Sequence, residues 1–312
     1  MEKVCAKPEQ STRFELGLAC AVLESLSVQS TTGYRLVKLA NGAHSVHSVD
    51  HHETFHPVVG PVAEAEALYV RQLRLIERLQ RHTGEFVLWD VGLGAAANAL
   101  TALRAARDIP CSIHLLSFDH TLEPLEFALQ HREALGYLAG YEAHLESLLR
   151  DHHCTFQDGA QTVKWDMHLS DFPALMTQPA ALALAKPHAI MFDAFSPAKN
   201  PAMWTQPLFA NLFRLLDPDR PCSLPTYSRS TMLRVTLLLT GFFVGVGHAT
   251  GEKEETTIAA NTADLIDEPL DRRWLERARR SSSAEPMWEP SYRQAPLSPA
   301  TWDKLRQHPQ FR

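Results

Sequence analysis

Apolar positions along the chain follow two rhythms. From Tyr34 to Val49 (YRLVKLANGAHSVHSV) they recur near every second residue on either side of Asn41 and Gly42, a pairing that predicts a β-hairpin. From Val62 to His82 the spacing of Ala65, Leu68, Tyr69, Leu73, Ile76 and Leu79 predicts an amphipathic helix. A strand over Phe86 to Val91, a helix over Ala95 to Ala106, a strand over Ser112 to Phe118 and a helix over 122–135 follow. Further strands are expected at Thr162 to Trp165 and Ala189 to Phe192, with a helix from Leu208 to Leu216. This alternation predicts an α/β fold, a Rossmann-like and mostly parallel sheet covered on both faces. Near the end, Phe242 to Val246 and Glu255 to Ala260 predict an antiparallel strand pair closing the sheet. Residues 1–30 read as a loosely attached segment, and the Arg-, Ser- and Pro-rich stretch after about 262 predicts no element. The expected division is an extension with a hairpin (1–60), a central domain (61–261) and a tail (262–312).

Composition narrows the class. Of 312 residues, 45% are apolar and 21% charged, as in globular proteins, which excludes wholesale disorder. Lys and Arg number 30 against 36 Asp and Glu, a net charge of −6, so the chain does not coat nucleic acid by bulk charge. The run Val235 to Gly247 is too short to span a bilayer, and Glu15 and Glu24 interrupt the apolar stretch Phe14 to Val28 that a signal peptide would need. Five scattered cysteines without a CxxC pair indicate neither a disulfide framework nor a zinc ribbon. The expectation is a reduced, cytoplasmic protein with no membrane segment.

Chemistry is first signalled at DVGLGAAAN (90–98), between a strand and a helix. Gly92 and Gly94 allow a tight turn and close approach of a ligand to backbone N–H groups at the helix N-terminus. Asp119 ends the next strand, where a carboxylate accepts ribose hydroxyls. Both a nicotinamide dinucleotide and S-adenosylmethionine (SAM) suit this pattern, and a bare βα turn with a surface Asp produces it too. Asp193, at the carboxyl end of an apolar strand, stands where ligands bind in such sheets, and Pro197 and Pro201 stiffen the loop behind it. The local run His44, His47, His51, His52 and His56 lacks a metal-ligand spacing, and no metal is expected. Arg272, Arg273, Arg277, Arg279 and Arg280 form a stripe suited to phosphates or simply to solvent.

The second loop, AIMFDAFSPAKNPAMWT (189–205), resembles the signature of the MnmC-type methyltransferases, SAM-dependent enzymes that methylate the aminomethyl group on the wobble uridine of bacterial tRNA. ETFHPVVGPVAEA (53–65) is similar to the segment before that family's first long helix, GLGAAAN (92–98) to its glycine loop, PTYS (225–228) to its Ala-Thr-Tyr-Ser segment, and GEKEE (251–255) to a basic turn. The resemblance covers roughly residues 45–260, and no second glycine fingerprint suggests the FAD oxidase half of two-domain members. The chain departs from the family pattern at Ala96, which replaces a third glycine, at Asp166 and His168, where the family has Gly-Asp, at Asp219 and Arg220, which replace Gly-Gly, and at Glu254, which replaces Arg.

The resemblance implies SAM as cofactor, held by Glu64, Asp90, Gly92, Gly94, Asn98, Asp119 and His168, with His168 standing where a carboxylate would face the adenine. It implies an acceptor site of Pro197, Lys199, Asn200, Tyr227, Ser228 and Lys253, with Asp193 holding or accepting the amine proton. Asp171 has no motif behind it. The implied partners are tRNA, met through the arginine stripe, and a separate oxidase. The alternatives are a small-amine acceptor, a non-catalytic module on the same fold, and a nicotinamide oxidoreductase.

Overall fold

Side chains alternate between the two faces of the central strands, and that alternation divides the core. The structure, a computed structural model, describes residues 33–251 and 254–312, all within the unit Thr32–Arg312. The strands are β1 (Tyr34–Lys38), β2 (His44–Ser48), β3 (Glu53–Thr54), β4 (Glu85–Val91), β5 (Ser112–Asp119), β6 (His153–Asp158), β7 (Gln161–Leu169), β8 (Ala189–Phe192), β9 (Ser223–Thr226), β10 (Phe243–Gly247) and β11 (Thr256–Ala260). The first three form a small antiparallel sheet. The others form one eight-stranded sheet in the order β10-β11-β9-β8-β4-β5-β7-β6. Strands β9, β8, β4, β5 and β7 run parallel; β6, β10 and β11 are antiparallel to their neighbours. Phe86 and Leu88 of β4 join one buried cluster with Leu115, Trp165 and Met191. Val87, Trp89 and Val91 join another with Phe118, Phe192 and Phe209 on the opposite face.

The expected hairpin is present, with Tyr34 paired to Ser48 and Gly42 at φ 88 in its turn. Tyr34 and Val46 reach into the core, so the hairpin is part of it. The helix predicted over 62–82 is interrupted. It starts as Pro61–Ala65, widens to a π-helical stretch over Glu66–Arg71, and resumes as Leu75–Arg81 after Arg74 turns left-handed at φ 51. Leu68, Tyr69 and Leu73 are all buried along this interrupted stretch.

The apolar run Val235 to Gly247 is the end of a helix, Thr231–Thr240, and then β10, divided at Gly241 (φ 108). The strand expected at 162–165 is the middle of the longer β7, and its hairpin partner β6 was not predicted. Nor was β9, which is four residues long and carries Pro225. Residues after 262 form helices Arg272–Arg279 and Pro299–Leu305, which bury Trp274, Leu275, Ala278 and Leu305 in the second cluster. The expected segment 1–30 lies outside the described residues. Among the described residues no helix is long and apolar enough to cross a membrane.

Candidate active site

The strand order reverses at β4: the chain moves to β5 on one side and later returns to β8 on the other. Crevices for ligands open beyond the carboxyl ends of strands at such a point. Four segments predicted to carry chemistry meet there. The glycine loop leaves β4, Asp119 ends β5, Asp193 follows β8, and Tyr227 follows β9. A cleft of about 340 Å³ opens beside them, walled by Tyr34, Phe55, Gly94, Asp119, Phe172 and Phe195 among others. A smaller chamber of about 50 Å³ adjoins it at Phe55, Gly92 and Gly94, with His56, Asn98 and Asp193 in its wall.

The loop is built by close approach. A Cβ at Gly92 (φ 93) would lie 2.7 Å from the backbone oxygen of Asp193, so only glycine lets the two strand ends meet. The Gly94 N–H donates to Asp119 Oδ2 at 2.9 Å, while Asp119 Oδ1 accepts from the His120 N–H at 2.8 Å. Each carboxylate oxygen accepts more than one hydrogen bond, so Asp119 keeps capacity for hydroxyls in the cleft. Ala96 takes a left-handed conformation (φ 62) just before the helix Ala97–Ala106.

Three carboxyl groups gather behind the loop. Asp90 is fully buried, accepts from Ser117 Oγ at 2.9 Å through Oδ2, and is pushed up to about 7 by burial, with the charges of Asp193 and Asp119 adding to the effect. Asn98 Nδ2 donates to Asp193 Oδ2 at 2.7 Å. His56 stands between the other two: its Nδ1 is 3.6 Å from Glu64 Oε2 and its Nε2 3.6 Å from Asp193 Oδ2. Tyr69 donates to the Phe192 carbonyl at 3.2 Å and Tyr227 to the Ala194 carbonyl at 3.0 Å, pinning both sides of Asp193. Burial, with Asp193 next in effect, holds both phenols well above their ordinary value.

The residues present suit SAM. Asp90 Oδ1 and Asn98 Oδ1 are buried acceptors without a hydrogen-bond partner among the described residues, as is Ser170 Oγ in the wall of the cleft. Buried polar atoms are normally satisfied, and a ligand carrying an ammonium and hydroxyls supplies the missing donors. Of the residues predicted for the cofactor, Gly92, Gly94 and Asp119 line the cleft and Asn98 lines the chamber, while buried Asp90 and Glu64 line neither. His168 does not line the cleft; it stacks on Phe118 with ring centroids 5.0 Å apart, and burial lowers its pKa. Ser170, Asp171 and Phe172 reach the cleft from that strand's end instead. Asp171 also caps the short helix Phe172–Leu175, accepting from the Ala174 N–H at 2.8 Å.

Among residues predicted for the acceptor, Lys199 and Asn200 line the cleft, Pro197 stiffens the loop without lining it, and half-buried Tyr227 lies edge-on to Trp204. Ser228 Oγ accepts from the Ser230 N–H, and Lys253 lies outside the described residues. Sequence reasoning passed over His56, Glu53, Phe55 and Asp171. Glu53 accepts from the Ser196 N–H at 3.0 Å and from the Ser196 hydroxyl, tying the small sheet to the second loop. Among the described residues no cluster of His, Cys, Asp or Glu is arranged to hold a metal. The five tail arginines are exposed; Arg272 donates to the Phe311 carbonyl at 2.9 Å and Arg279 lies over Trp302 at 4.8 Å.

Comparison with known proteins agrees with this geometry. The family described as S-adenosyl-L-methionine-dependent methyltransferase matches residues 140–262. The chain is 29% identical over 231 residues to the tRNA 5-methylaminomethyl-2-thiouridine biosynthesis bifunctional protein MnmC of Aeromonas hydrophila, covering 69% of this chain and 34% of that protein. It is 32% identical over 200 residues to the MnmC of Ectopseudomonas mendocina, covering 59% of this chain and 29% of that protein. The chain thus spans about a third of the length of these curated relatives. The crystal structure of MnmC2 from Aquifex aeolicus shares the fold, with a TM-score of 0.64 at 22% identity over 89% of this chain and 85% of that one. The choice the glycine loop leaves open between a dinucleotide and SAM falls to SAM, and over this span the chain is similar to the S-adenosyl-L-methionine-dependent methyltransferases, MnmC proteins among them.

Proposed function

We propose that this methyltransferase transfers its methyl group to the aminomethyl nitrogen of a modified wobble uridine in tRNA, with Asp193 as the catalytic carboxylate. The observation that carries the reading is the placement of Asp193: at the carboxyl end of β8, against Gly92 and held by Asn98 at 2.7 Å. The names of the MnmC relatives support the tRNA acceptor.

When bound, SAM supplies an electrophilic methyl on a sulfonium. Glu64, Asp90 and Asn98 would hold its ammonium end, and Asp119 its ribose. The chain's own work is positioning. An alkylamine is protonated at neutral pH, and Asp193 takes or holds that proton so that the nitrogen presents a lone pair. Tyr69 and Tyr227 fix the backbone on both sides of the carboxylate, and Phe55 and Phe195, 5.5 Å apart, form an apolar wall that excludes water. Lys199 and Asn200 at the rim suit the phosphate and ribose of an incoming nucleotide.

The exposed arginines of the late helix support an RNA partner through their charge. Burial lowers the pKa of Arg234, Glu255 opposes it, and Arg277 with Arg229 next to Ser228 adds a smaller lowering effect.

Asp193→Asn keeps the shape and removes the charge. Turnover on tRNA carrying the unmethylated aminomethyl uridine should fall by about 10²–10⁴, while SAM titration calorimetry gives nearly the parent affinity. Full turnover in Asp193→Asn would overturn the assignment of the carboxylate. No transfer by the parent to that tRNA, with transfer to a small amine, would overturn the acceptor.

A further inference from the structure

We infer that His56 is a positioning residue for methyl transfer, acting on the acceptor through Asp193; the inference rests on the role proposed for that carboxylate. His56 adopts φ 48, a left-handed conformation that a residue with a Cβ seldom takes, and it does so immediately before Pro57. Strain of this kind persists where the surroundings demand the side chain in one place. Here that place is the wall of the small chamber, with the side chain only 10% exposed.

Its two nitrogens face different carboxylates, Glu64 Oε2 and Asp193 Oδ2, each at 3.6 Å. Oδ2 of Asp193 is the same oxygen that Asn98 Nδ2 meets at 2.7 Å. An amide that donates at 2.7 Å and an imidazole nitrogen 3.6 Å away, from distant parts of the chain, thus face one oxygen, and together they bias the orientation of the carboxylate. Without the imidazole, that oxygen would keep the Asn98 amide in a region that also contains Asp90 and Glu64, and like charges would push it out of line. Glu64 in turn orients the ring, so the carboxylate of the first helix reaches the second loop by way of His56.

The test is a double-mutant cycle with His56→Asn, Asp193→Asn and the pair, assayed by transfer of labelled methyl from SAM to total tRNA from a strain lacking this methylation. His56→Asn should lower kcat by about 10- to 100-fold and leave KM for tRNA and the affinity for SAM nearly unchanged. Added to Asp193→Asn, it should cost nothing more, because the residue it orients has already lost its function. His56→Gln, whose amide reaches further, should recover part of the rate. It also replaces His56→Asn in the cycle if the shorter side chain prevents folding. Multiplicative losses in the double variant would overturn the inference. So would a parental kcat in His56→Asn alongside a damaged Asp193→Asn, and that outcome would leave the role of Asp193 standing. A fully active Asp193→Asn would instead remove the reading on which the inference rests.

Discussion

Two neighbouring loop residues respond oppositely to the same kind of change. At Gly92 a methyl would strike the Asp193 backbone oxygen at 2.7 Å and also sit at φ 93, so Gly92→Ala should cost several kcal/mol or fail to fold. At Ala96 the left-handed backbone costs about 1–2 kcal/mol with a Cβ present, but that methyl is fully buried and contributes about 0.8 kcal/mol. Ala96→Gly should therefore change stability by no more than about 1 kcal/mol, and thermal unfolding of the two variants checks both expectations. The departure from the family's glycine is thus nearly neutral. Asp193, Asp119 and the glycines were legible because each occupies a fixed place relative to a strand end. His56 was not. Its meaning depends on Glu64 and Asp193 coming to its two sides, and in sequence it appears only as one histidine among five neighbours.

Strands and helices were legible where their apolar pattern was continuous. They were missed where local chemistry breaks the pattern. Pro225 disguises β9, and the half-buried Thr162, Asp166 and His168 with the exposed Lys164 thin the signal of β7. The interrupted first helix shows the reverse failure, since a steady apolar rhythm hid a widened turn and the left-handed Arg74. Within β4, Asp90 makes a testable element of the sheet's interior. Its pKa rises from 3.8 to about 7 on folding, so the folded state keeps a proton that the unfolded chain releases near pH 4. The stability this contributes is whole below about pH 4 and is lost as pH rises to about 7. Thermal unfolding of the ligand-free protein and of Asp90→Asn across pH 4–8 should show the parent losing ground by up to about 1.4 kcal/mol per pH unit, and then running parallel. Parallel curves throughout would show that Asp90 is ionised in the fold.

At the scale of the whole molecule, a net charge of −6 coexists with an exposed basic helix, so any RNA contact must be local. Arg272 and Arg279 are engaged within the fold; Arg273, Arg277 and Arg280 are better placed to meet phosphates. Changing those three to Ala should weaken tRNA binding and reduce the slope of log affinity against log salt by about 0.7–0.9 for each phosphate no longer neutralised. An unchanged slope would return the helix to a purely structural role.

That helix has a further consequence. The family model matches 140–262, but Trp274, Leu275, Ala278, Leu305 and Phe311 lie beyond it and are each at most 6% exposed. The Met287 carbonyl accepts from the Gln206 N–H at 2.8 Å, which fastens the late chain beside the loop that carries Lys199 and Asn200. A fragment trimmed to the shared span would expose an apolar face and release that fastening together. It should precipitate or melt without a cooperative transition, a difference that calorimetry on the fragment and the full chain would detect. A family model can match one stretch of residues while the packed interior extends over a longer one, and only the second is a safe guide to where an expression boundary can be cut.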